Sequence, residues 1–96
     1  MTHVLVSARA QADIERLCDF LLERLPHEAA RTAALIAHGL EILKQHPEIG
    51  RPAIEGLREL VISRGNTGYL ALYKYEEEAD TVLVLAIRHQ REAGYK

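Results

Sequence analysis

Aromatic side chains are scarce here: four tyrosines, one phenylalanine and no tryptophan in 96 residues. The core must therefore be mostly aliphatic. A basic excess is missing as well. Twelve Lys and Arg stand against 14 Asp and Glu, giving a net charge of -2 and a pI near 6.2. Proteins that grip nucleic acid through its phosphates carry the opposite balance, so sequence-specific nucleic-acid binding is not expected. The lone cysteine, Cys18, excludes an internal disulfide and gives no reason to expect secretion. His3, His27, His38 and His46 lack metal-ligand spacing, and Cys18 does not complete a zinc set. No glycine-rich phosphate loop is present, so neither a metal nor a cofactor is expected. The longest apolar run, Val82 to Ile87, falls far short of the ~20 residues that span a bilayer. No basic start followed by an apolar stretch marks a signal peptide. A cytoplasmic protein is the expectation.

The length suits one compact domain, residues 1–96, with a modest core. Charge is unevenly spread. Residues 57–75 hold Arg58, Arg64 and Lys74 against Glu59, and residues 81–96 hold Arg88, Arg91 and Lys96 against Glu92. Between them lies an acidic turn, Glu76-Glu77-Glu78-Ala79-Asp80. That pattern allows a local anion site but not a broad one.

His3 to Val6 suits a short first strand, and Ser7 a helix cap. Ile14, Leu17, Cys18, Leu21, Leu22 and Leu25 then fall on one face of a helix. Burying all six would contribute roughly 10 kcal/mol before chain entropy is charged against it. Asp13, Glu15, Arg16, Asp19, Glu23 and Arg24 fill the other side. Pro26 ends this helix and can start the next, whose stripe is Ala29, Ala33, Ile36, Ala37, Leu40 and Leu43. Gly39 permits close approach, and Pro47 stops the helix. The short joint makes the pair an antiparallel hairpin. Glu48 to Gly56 reads as a loop. Leu57–Arg64, Tyr69–Tyr75 and Thr81–His89 read as strands, joined by Gly65-Asn66-Thr67-Gly68 and by the acidic turn. The last strand is apolar on both faces and should be central. The predicted fold is α+β and two-layered: a helical hairpin on one face of a small, mostly antiparallel sheet, in the order β-α-α-β-β-β.

Strand alternation divides the side chains between two faces. The aliphatic sets Leu70/Leu72 and Leu83/Leu85/Ile87 are expected to meet the helices. Tyr69, Tyr73, Val82, Val84, Ala86 and Arg88 are then left on an open face. An exposed apolar patch of that kind marks a partner site.

The opening Val4-Leu5-Val6-Ser7-Ala8-Arg9-Ala10, the segment Ile49-Gly50-Arg51-Pro52, Leu57-Arg58-Glu59-Leu60, Tyr69-Leu70-Ala71-Leu72-Tyr73-Lys74-Tyr75 and Val84 through Glu92 together resemble the RelE/ParE family of bacterial toxins. The likeness covers nearly the whole chain. It implies a toxin silenced by a cognate antitoxin, with Tyr69, Tyr73, Val82, Val84 and Ala86 as the expected antitoxin surface.

The family offers two activities. The RelE-like branch cleaves mRNA on the ribosome without metal. Such cleavage needs an activated 2′-hydroxyl, an acid and cations for the phosphate, roles that Arg58, Arg64, Arg88, His89 and Tyr95 could fill. The ParE-like branch is not an enzyme and resembles proteins that poison DNA gyrase. Its target surface here would include Arg88, His89, Arg91 and Tyr95. The near-neutral charge, the Arg88–Glu92 tail and the Ile49–Pro52 loop favour this branch. An inactive binding module is the third alternative.

Overall fold

The computed structural model describes residues 1–64 and 67–95, apart from the side chains of Arg64 and Thr67. Its elements are β1 (His3–Val6), α1 (Ala8–Arg24), α2 (Pro26–Glu41), a 3-10 turn (Ile42–Lys44), β2 (Arg51–Pro52), a second 3-10 turn (Ile54–Gly56), β3 (Arg58–Arg64), β4 (Thr67–Glu76) and β5 (Thr81–His89). The expected β-α-α-β-β-β order holds. The addition is β2, a two-residue strand inside the segment read as a loop. The strands form one sheet in the order β1-β5-β4-β3-β2. Among the described residues, only the β1–β5 pair is parallel. The expected glycine-asparagine turn at 65–66 lies outside the described residues.

Each helix begins where its sequence demands. The Ser7 hydroxyl accepts the Ala10 N–H at 3.1 Å and so caps α1. Leu25 alone joins the helices, and Pro26 occupies the first turn of α2. The hairpin packs on one face of the sheet, with Ala10, Leu17, Ile36, Leu40 and Leu43 in the core. The six-residue stripe of α1 is buried only in part. Leu17 is covered and Ile14, Cys18 and Leu21 are half-buried, while Leu22 and Leu25, near the hairpin tip, are exposed. The expected 10 kcal/mol is correspondingly too large. The Cys18 thiol points at the Ala29 carbonyl, and burial, then Asp19, push its pKa up. It packs the hairpin and is a poor nucleophile. Among the described residues, no helix is long and apolar enough to cross a membrane.

The core face of the sheet is the reverse of the one expected. Tyr69, Ala71 and Tyr73 of β4, with Val82 and Val84 of β5, pack in the core cluster with the helices and are buried. Leu72 and Leu83 lie on the outer face, opposite Glu59 and Leu5 respectively. Tyr73 can go inside because its hydroxyl has a partner there: it accepts the Gly50 N–H at 2.9 Å. Gly50 is needed for that approach. A Cβ at this position would stand 2.7 Å from the Tyr73 hydroxyl and 3.0 Å from the Glu59 carbonyl.

A register shift at Leu72/Tyr73 divides β5. Tyr73 pairs with Val84, but Leu72 pairs with Ala86, which leaves Leu85 as an extra residue. Beyond this bulge the faces of β5 change over. Ile87 turns inward, while Ala86 and Arg88 turn outward beside Leu72 and Leu70. The start of α1 closes the same edge. β1 pairs only as far as Val84. After it, the Ser7 N–H reaches the Val84 carbonyl, the Ser7 hydroxyl reaches the Leu85 carbonyl, and the Asp13 carboxylate accepts the Ile87 N–H at 2.9 Å. Asp13 is thus buried rather than a solvent-facing residue of α1.

Candidate functional site: the outer sheet face, the folded tail and the α2–β3 groove

The outer face is closed in part by the C-terminal tail. Residues after His89 turn back at once: the Glu92 N–H meets the His89 carbonyl, and the Gly94 N–H meets that of Glu92. Arg88 holds the turn by donating to the Glu92 carbonyl at 2.7 Å. The Glu92 carboxylate accepts the His89 N–H and pairs with Arg16 of α1 at 3.0 Å. The tail is therefore fastened to both layers.

Tyr95 ends the described tail on the sheet. Its hydroxyl donates to Glu59 at 2.6 Å, and its ring lies beneath the Arg88 guanidinium, 5.1 Å from ring centre to Cζ. Glu59, Leu72 and Ala86 form one row across the sheet, and Val61, Leu70 and Arg88 the next. A ring bridging Glu59 and Arg88 must cross β4 over its leucines. This explains why Leu70 and Ala86 are buried on a face that carries no helix. The opposite side of Glu59 is taken by Arg51 of β2, whose Nε donates at 3.0 Å and whose terminal nitrogen donates to the same oxygen.

The electrostatics follow from that crowding. Burial alone would raise the Glu59 carboxyl. The Tyr95 hydroxyl, the Arg51 pair and the Arg88 charge outweigh it and hold the group below its ordinary value. Burial, then the same carboxylate, push the Tyr95 phenol well above the usual range. The cluster is an anionic carboxylate held between cations and a protonated phenol. The Arg88 Nε is buried with no hydrogen-bond partner among the described residues.

On the other flank, a groove of about 560 Å³ runs between α2 and β3. Leu35, His38, Ile42 and Ile49 line it together with the Leu60 to Ser63 edge of β3. Ile42, Ile49 and Val61 are exposed. Gly39 sets its depth, since a Cβ there would meet the Ile62 side chain at 2.8 Å. β2 pairs only with Arg58 and Glu59, so the edge of β3 beyond Glu59 carries no strand among the described residues.

Of the described residues cast for RNA cleavage, the structure brings together Arg88 and Tyr95. Arg58 is directed at the 48–50 loop, donating to the Gly50 carbonyl at 2.8 Å and the Glu48 carbonyl at 3.1 Å. His89 has its ring edge-on to Tyr69 at 5.2 Å, and its Nδ1 accepts the Arg91 N–H. The Arg64 side chain lies outside the description. Of the expected target surface, Arg91 is exposed, and Arg88, His89 and Tyr95 are half-buried. The expected antitoxin surface requires correction. Tyr69, Tyr73, Val82 and Val84 are core residues beneath the helices, and Ala86, though outward, is buried. Glu59 and Arg51 were missed as site residues. Alternation along β3 separates Glu59 from Leu60, but no pattern in the sequence shows that the tail folds back to meet it.

Comparison with known proteins agrees with this architecture. The family described as ParE toxin of type II toxin-antitoxin system, parDE, matches residues 4–94. Toxin RelE3 of Caulobacter vibrioides is 37% identical over 92 residues, covering 96% of this chain and 98% of that one. Toxin RelE1 of the same organism is 39% identical over 71 residues, 74% of this chain and 76% of that one. Among solved structures, the chromosomal ParDE system from P. aeruginosa superposes with a TM-score of 0.78 at 22% identity, covering 93% of this chain and 96% of that one. A chain of the RelBE2 toxin-antitoxin complex from Mycobacterium tuberculosis gives 0.61 at 22% identity, covering 93% and 98%. These two share the fold. With the family match spanning almost every residue, the chain belongs to the ParE toxins of type II toxin-antitoxin systems, within the RelE/ParE family.

Proposed function

We propose that this toxin arrests growth by binding DNA gyrase in the cytoplasm, that it is not an enzyme, and that a cognate antitoxin silences it. One observation carries the choice of target. The outer face, which holds Arg88 and Tyr95, has the Glu59 carboxylate beside them, bonded to the Tyr95 hydroxyl. A site that cleaves RNA must stabilise extra negative charge on a phosphate. A resident carboxylate opposes that charge, and a phenol with a raised pKa is a poor base at neutral pH. Arg58 and His89 stand elsewhere. The near-neutral charge of the chain also suits a protein target better than a ribosomal one.

The antitoxin proposal is supported by the toxin-antitoxin systems among the structural neighbours. We assign its docking site to the α2–β3 groove, where exposed Ile42 and Ile49 adjoin an open strand edge. Extended or helical partner segments use such surfaces.

The test is supercoiling by purified gyrase, with cleavage of ribosome-bound mRNA measured in parallel. Inhibited supercoiling with intact mRNA is the expected result. Uninhibited supercoiling with cut mRNA would establish the second reading, ribosome-dependent RNA cleavage, which draws on the shared placement of Arg88 and Tyr95.

A further inference from the structure

We propose that Glu59 closes a latent oxyanion site on the outer face, its carboxylate occupying the place that an external oxyanion would take between Arg51, Arg88 and Tyr95. Three separate parts of the chain supply the donors. Arg51 comes from β2 and presents two nitrogens to one carboxylate oxygen. Tyr95 comes from the tail and presents its hydroxyl to the other oxygen at 2.6 Å. Arg88 comes from the end of β5, with its guanidinium on the Tyr95 ring and a buried Nε that has no hydrogen-bond partner among the described residues. A guanidinium fork and a phenol converging on one carboxylate form the donor set of an oxyanion receptor. The occupant is tethered on β3, so it returns as soon as it leaves. An outside anion binds only in the fraction of time that Glu59 is displaced, and its apparent affinity falls by that fraction.

Glu59 thereby acts as a specificity determinant. It keeps two arginines and a phenol for the fold and refuses them to phosphates. The inference rests on the reading of this face as closed to RNA. It adds that removing one side chain would open the face.

Thermal unfolding of the whole chain in inorganic phosphate, in acetate and in chloride at matched ionic strength tests this. The wild type should show little beyond the general stabilising effect of each anion, against which the variants are compared. Glu59→Ala should gain a melting temperature that climbs with phosphate concentration, as expected of a ligand bound by the native state alone. Its phosphate affinity should exceed that of the wild type by about tenfold or more, the factor for a site its own carboxylate fills nine-tenths of the time. The double variant Glu59→Ala/Arg51→Ala should lose the gain. If Glu59→Ala does not fold, Glu59→Gln removes the charge, keeps an acceptor for Tyr95, and should show a smaller gain of the same kind. Stabilisation by phosphate alone assigns a phosphate-type site, and an equal response to acetate assigns one for oxyanions generally; both support the proposal. Equal phosphate responses in the wild type and both single variants, or a gain that survives loss of Arg51, would overturn it. Gyrase inhibition by the wild type is a separate readout, so either claim can fail alone.

Discussion

Removing the Asp13 carboxylate should cost this small domain a large part of its stability. β1 stops pairing with β5 at Val84, and beyond it the Ile87 N–H of β5 bonds to α1 in place of a strand. Asp13 accepts it at 2.9 Å in a buried site. A hydrogen bond to a charged group contributes about 1.5–3 kcal/mol, and an orphaned buried N–H costs a similar amount when its partner is removed. These are two views of one interaction, so Asp13→Ala should destabilise by about 2–3 kcal/mol. For a chain of this size that is a drop of roughly 10–20 °C in Tm. Asp13→Asn keeps an acceptor and gives up the charge. The Arg9 and Arg16 contacts it would weaken are long, 3.6 and 3.8 Å, and involve half-exposed guanidinium groups. Such pairs contribute about 0.2–1 kcal/mol, so the Asn variant should fall well short of the Ala variant. Urea unfolding followed by circular dichroism gives the ranking. Amide exchange at Ile87 gives the mechanism, since its protection should fall in Asp13→Ala alone. An alanine variant within about 0.5 kcal/mol of the wild type would refute the role assigned to this carboxylate.

Tyr95→Phe removes the hydroxyl that holds Glu59 and should cost about 1 kcal/mol at neutral pH, the bond being partly solvated. The Glu59 pKa is lowered in the fold, so its contribution is present above the ordinary carboxylate value of 4.5 and disappears as pH falls through the lower folded value. The Tyr95 pKa is raised, so its contribution is present below the ordinary phenol value of 10.0 and disappears as pH climbs towards the folded value. The stability gap between wild type and Tyr95→Phe should therefore be a plateau that narrows at both ends; urea midpoints at acid, neutral and alkaline pH would show it, and a gap independent of pH would count against the pairing. Ile42→Glu and Ile49→Glu place charges in the α2–β3 groove at exposed positions, so stability should move by no more than about 0.5 kcal/mol. Affinity for a co-expressed antitoxin should drop by more than about tenfold, the cost of seating a carboxylate against an apolar partner; unchanged co-purification would remove the groove as the docking site.

The order of elements was legible because each rests on a local signal. Ser7 caps, Pro26 starts a helix, Pro47 forbids its continuation, and an acidic turn separates β4 from β5. β2 was not legible, since two residues carry no period and Arg51 and Pro52 pair only because Arg58 and Tyr73 fasten the preceding loop. Asp13 was misread for a related reason. Its place in α1 looks polar and outward, and only the early end of β1 leaves an N–H that requires a buried carboxylate.

The exchanged sheet faces have a physical cause that bears on function. Ranking side chains by hydrophobicity sends leucine inward and tyrosine outward. That ranking ignores where a hydroxyl can find a partner. Tyr73 reaches the Gly50 N–H at the rim of the core, so its ring is buried with its polar atom satisfied. Once Tyr73 points inward, alternation sends Leu72 outward to lie beside Glu59. The bulge at Leu85 then resets β5, so that Ala86 and Arg88 also emerge on that side. One buried hydroxyl and one extra residue thus determine which surface the tail must cover and where Arg88 meets Tyr95. Deletion of Leu85, the extra residue, would leave Ala86 opposite Leu72 and Arg88 opposite Leu70, whereas regular alternation that kept Leu85 would carry Arg88 to the helix face and dismantle the cluster around Glu59. The presence of Arg88 and Leu72 on the outer face of this toxin is therefore a consequence of how β4 and β5 are registered.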